Sequence, residues 1–88
     1  MHVVQVPVAG LRPAFWKVAE HLWGKGCDID SDGNSRTPDD EHWTELTLIN
    51  RQGLGSVHVD PHPDNPSLLA VRSASRGLAE KVAAFIAP

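Results

Sequence analysis

The apolar residues of this 88-residue chain change their period along its length, and the order of those changes constrains the fold more than any motif does. Residues 2–8 set Val4, Val6 and Val8 against Gln5 and Pro7, the period-2 pattern of a strand with one buried face. After Pro13, whose missing N–H is tolerated in a first helical turn, Phe15, Val18, Ala19 and Leu22 recur at helical spacing until Gly24 and Gly26 end the run. Trp16 and Trp23 fall on the flank of that helix, at the edge of a core. Residues 27–42 then lose apolar periodicity altogether and read as a long loop, with a single helical turn signalled by Thr37, Pro38, Asp39 and Asp40.

Period 2 returns in residues 43–51, which place Thr44, Leu46 and Leu48 on one face and Trp43, Glu45, Thr47 and Ile49 on the other. A glycine-containing hairpin at residues 50–55 leads into residues 56–60, where Val57 and Val59 face inward and His58 outward. Pro61, Pro63 and Pro66 cannot sustain a ladder and predict a turn, followed by a strand at residues 68–72. Ser73 or Ser75 caps a last helix whose apolar stripe is Leu78, Val82, Phe85 and Ile86. Short turns between the last three strands make them antiparallel. The expected fold is an α+β two-layer sandwich over residues 1–88, a single domain of order β-α-β-β-β-α, with a mainly antiparallel four-stranded sheet and two helices on one face.

Composition narrows the function. A net charge of −3 and a pI near 5.9, with scattered Lys and Arg, argue against a nucleic-acid binder, which presents a basic face to phosphates. Cys27 is the lone cysteine, so neither an internal disulfide nor a four-thiolate zinc site can form, and a cytoplasmic, reducing setting is expected. Cys27 also follows the end of a helix, where nothing activates a thiolate. No basic leader and no run of eighteen apolar residues is present, so neither export nor membrane insertion is expected.

Two clusters could hold a metal. Asp28-Ile29-Asp30-Ser31-Asp32-Gly33 matches the first half of an EF-hand calcium loop, with alternate carboxylates closed by a glycine. Calcium bound there would take side-chain oxygens from Asp28, Asp30 and Asp32, the backbone carbonyl of Asn34, and a further carboxylate from Asp39 or Asp40. The second half departs from the pattern: Ser35 stands where a hydrophobic residue anchors the loop, and Asp39 where a bidentate glutamate belongs. The alternatives are a solvated, mobile turn segment or an acidic surface for a basic partner. His58, Asp60 and His62 also alternate and could approach a zinc-like ion from one face, with Asp64 or Glu45 as a fourth ligand.

No catalytic signature appears elsewhere, and Gly53-Leu54-Gly55 belongs to a hairpin rather than a phosphate loop. A small metal-dependent enzyme would use His58 as base with Asp60 and Glu45. The preferred expectation is a non-catalytic protein-interaction module. Its binding surface is the outer sheet face, where Trp43, Glu45, Ile49, His58 and Arg72 lie with Leu68, Ala70 and Thr47, and its partner is a protein, a second copy in a two-fold homodimer above all. A mixed surface with isolated apolar residues is the ordinary alternative.

Overall fold

In the computed structural model, which describes residues 1–8 and 10–87, the period-2 and helical segments fold as β1 (His2–Pro7), α1 (Phe15–Trp23), β2 (Ile29–Gly33), β3 (Leu46–Asn50), β4 (Ser56–His62), β5 (Asn65–Ser73) and α2 (Arg76–Ile86). The five strands form one sheet in the order β1-β5-β4-β3-β2, every neighbouring pair antiparallel. The β2–β5 run is a meander, while α1 carries the chain from one edge of the sheet to the other. Alternation directs Val6, Leu46, Leu48, Val57, Val59, Leu69 and Val71 to one face, where Val18 and Ala19 of α1 and Ala79, Val82, Ala83 and Ile86 of α2 complete a single buried cluster. Among the described residues the opposite face carries no second layer.

The α+β class, the antiparallel sheet and both helices agree with the sequence reading, and the order β-α-β-β-β-α with four strands does not. The missing element is β2. Residues 27–42 are not one long loop, because Ile29–Gly33 pairs along its whole length with Leu46–Asn50. Its alternating side chains are polar on the outer face and sparse in apolar residues on the inner one, so hydrophobic periodicity did not reveal it. Thr37 to Asp40 closes a turn through Asp40 N–H to Thr37 C=O (3.1 Å) and does not become a helix.

Strand ends also shift. Pro61 does not stop β4, which continues to His62, and β5 begins at Asn65 rather than Leu68. The ladder explains the tolerance. Asn50 N–H donates to Gly55 C=O, so odd-numbered residues of β4 point their amides at β3; the last β3 partner is Leu46, opposite Val59, and no ladder bond is lost at Pro61. α2 starts at Ser75, whose hydroxyl accepts Leu78 N–H at 3.3 Å, while the Ser73 hydroxyl donates to Ser56 C=O at 2.7 Å.

Trp43 is the largest correction. It lies ahead of β3 and outside its alternation, 1% exposed in the core, with Nε1 donating to Pro13 C=O at 2.8 Å. It is therefore not part of the outer sheet face. Arg12, itself buried, donates through Nε to Trp43 C=O, lies 5.8 Å from the Trp43 ring, and its backbone N–H bonds Glu41 C=O at 3.0 Å. These bonds tie the approach to α1 to the approach to β3. Truncating Trp43 to alanine should cost about 3–5 kcal/mol in chemical denaturation, whereas Ile49→Ala on the open face should cost less than about 1 kcal/mol. Equal losses would contradict this assignment of faces.

Candidate functional site

The registers place Asp32, Thr47, His58, Arg72 and Val3 in one row across the outer face of all five strands. Asp60, Ala70 and Gln5 form a second row, and Asp30, Ile49 and Ser56 a third. The face is divided by charge: Asp30, Asp32 and the exposed Glu45 gather at the β2–β3 side, while the β1–β5 side carries Val3, Gln5, Ala70 and Arg72, the last paired with Asp60 of β4. Ile49 and Val3 are 43% and 54% exposed, so each side keeps an apolar group open to solvent. At the centre, Thr47 Oγ1 lies 3.2 Å from His58 Nδ1, and the Arg72 guanidinium pairs with Asp60. Both members of that ion pair are 45% exposed, so solvent screens it and it contributes little to stability.

Of the five residues expected at a partner surface, Ile49, His58 and Arg72 do lie on this face, Glu45 is exposed at the entry to β3, and Trp43 is in the core. His58, Asp60 and His62 are engaged separately: His58 with Thr47, Asp60 with Arg72, and His62 Nδ1 accepting Asp64 N–H at 3.1 Å. The register shifts between Pro61 and His62, so the regular continuation that would align all three fails.

The acidic residues are likewise strung along a strand rather than curled about a point. In an extended chain alternate residues stand about 6–7 Å apart. Asp28 pairs with Arg51 across the ladder at 3.6 Å, Asp30 and Asp32 lie opposite Ile49 and Thr47, and Asp39 accepts Trp16 Nε1–H at 3.3 Å. The Asn34 side-chain oxygen accepts Thr44 and Glu45 N–H at 2.9 and 3.0 Å, pinning the exit of β2. Gly33 has a steric reason of its own: at φ +149° a Cβ would stand 2.2 Å from Glu45 C=O, so the glycine serves close strand approach. Among the described residues no group of three or more His, Cys, Asp or Glu is placed to hold a metal ion.

Sequence reasoning missed the backbone of β2. Asn34 N–H donates to Glu45 C=O and Arg51 N–H to Asp28 C=O, which fixes the even-numbered β2 residues as those bonded to β3. The amides and carbonyls of Ile29, Ser31 and Gly33 therefore point away from the sheet. The signal was present in the alternation of aspartates with Ile29 and Ser31, which is period 2 in polar residues.

No family model matches this chain, and comparison with curated proteins and with solved structures finds no significant relative. Among the described residues no helix is long and apolar enough to cross a membrane.

Asp40 organises the turn after β2 by accepting Arg36 N–H at 2.9 Å and His42 N–H at 2.8 Å. Those two bonds, the Arg36 one foremost, hold its carboxyl below the ordinary 3.8. A lowered folded-state pKa means the stabilisation is present above the unfolded value and lost as pH falls through the folded one. The Arg36 and His42 amides should therefore titrate with the Asp40 carboxyl at a midpoint below 3.8, and Asp40→Asn should abolish that transition. A midpoint at or above 3.8 in NMR titration would contradict the assignment.

Proposed function

We propose that the chain is a small non-catalytic protein-interaction module that binds through the uncovered face of its sheet. The observation that carries this reading is a five-stranded sheet covered by helices on one side only, whose other side exposes Ile49 and Val3 around polar groups already paired with one another. Exposed apolar residues on an unlayered sheet favour a protein partner. The same pairing speaks against the catalytic alternative, since the His58 ring is engaged by Thr47 and the Asp60 carboxylate by Arg72.

A second copy is the partner that the charge division favours. A two-fold axis along β4 lays the β1–β5 half of one copy, with Arg72, over the β2–β3 half of the other, with Asp30 and Asp32. That arrangement keeps the two acidic halves apart and sets each against the half that bears Arg72. Sedimentation from low to high micromolar concentration should show a monomer–dimer equilibrium, and Ile49→Lys, which faces Asp30 across the ladder, should give a folded monomer whose denaturation midpoint no longer depends on protein concentration. A wild-type protein that stays monomeric throughout contradicts self-association through this face.

A further inference from the structure

The free edge of β2 opens onto a solvent-filled groove. α1 runs beside it, and two adjoining hollows of about 300 and 360 Å³ lie along the edge, sharing Phe15 and Ser31 as lining residues. One extends over Trp16, Cys27 and Ile29 beneath α1, and the other toward Ser35 and Pro38 at the following turn. The odd-numbered β2 residues that turn their backbone toward this groove also turn their side chains to the inner face, while Asp30 and Asp32 project on the outer one. Gly33 N–H is taken by the Asp32 carboxylate at 2.8 Å, but the amides and carbonyls of Ile29 and Ser31 have no hydrogen-bond partner among the described residues.

We infer that this groove accepts an extended segment of a partner protein as a sixth strand, bonded to the backbone of Ile29 and Ser31, with apolar residues alternating with Lys or Arg. The inference rests on the reading of the chain as a protein-binding module but assigns a different surface from the open sheet face. The backbone supplies the pairing groups and the alternation supplies the specificity. In an added strand, side chains alternate between the faces. Of those on the inner face, the ones that enter the hollow beneath α1 meet Phe15, Trp16, Ala19 and Ile29, which call for apolar groups. Those on the outer face stand directly beside Asp30 and Asp32, where opposite charge is favoured and like charge opposed. The same aspartates set against those of another β2 repel, which excludes a second copy of this edge as the occupant.

The probe is an acetylated, amidated seven-residue peptide of alternating valine and lysine, compared with its valine–glutamate counterpart and followed by amide shifts of the intact protein. The lysine peptide should move the amides of β2 and of Phe15, Trp16 and Ala19 in a saturable way, and the glutamate peptide should not. Asp30→Lys should weaken the lysine peptide about fivefold and favour the glutamate one. Ser31→Pro removes an N–H that the sheet itself does not use, so it should leave folding intact and abolish binding. Absence of shifts up to millimolar peptide, equal binding of both peptides, or undiminished binding by Ser31→Pro would overturn the groove assignment. Shifts confined to Thr47, His58 and Arg72 would overturn it as well while supporting the sheet-face reading. Val3→Asp, which disturbs the open face on the far edge strand β1, should leave the lysine peptide's affinity unchanged.

Discussion

The hydrogen-bond alternation of one antiparallel pair, β2 on β3, decides what this molecule presents to its surroundings. With Asn34 bonded to Glu45 and Arg51 to Asp28, parity settles the rest: even residues of β2 bond inward to the sheet and lift their carboxylates onto the outer face, and odd residues turn their backbone to the free edge. A one-residue slip would place Asp30 and Asp32 against the core and Ile29 in solvent, so burial enforces the register. The acidic outer row, the open backbone of Ile29 and Ser31 and the groove under α1 are all consequences of that single ladder.

The ladder persists because both its ends and the helix beside it are tied down. At one end the Asn34 side chain clamps Thr44 and Glu45; at the other Asp28 and Arg51 pair through backbone and side chain. Trp43 and Arg12 join the segments entering β3 and α1, which fixes the helix over the inner face. His21 stacks on Phe85 with centroids 4.1 Å apart, coupling α1 to α2 and closing the layer. An 88-residue chain spends its apolar residues on this one layer, leaving the other sheet face with exposed Ile49 and Val3.

Elements whose burial is apolar were legible in the sequence. Val57 and Val59, Leu46 and Leu48, and the stripe of α2 declare their faces by hydrophobic period alone. Where backbone geometry rather than apolar burial sets the structure, that signal fails. β2 alternates in polar residues, so its period looked like an acidic loop and its glycine like a calcium-loop bend. Pro61 reads as a strand breaker, yet its missing N–H falls beyond the end of β3, where the ladder needs none, just as that of Pro7 falls on the free edge of β1. Trp43 was assigned to the outer face by extending an alternation three residues too far, and its buried place depends on contacts with Pro13 and Arg12 that no local pattern encodes. The candidate surface was legible only where regular strands carry it, at Ile49, His58 and Arg72.

Residue-resolved amide hydrogen exchange under native conditions tests the β2 ladder most directly. Asp30 and Asp32 should be protected by their bonds to Ile49 and Thr47, while Ile29 and Ser31 between them exchange close to the solvent-exposed rate, an every-second-residue pattern. Uniformly rapid exchange from Ile29 through Gly33 would show that this segment does not belong to the sheet. The acidic outer row and the groove derived from it would then both be wrong.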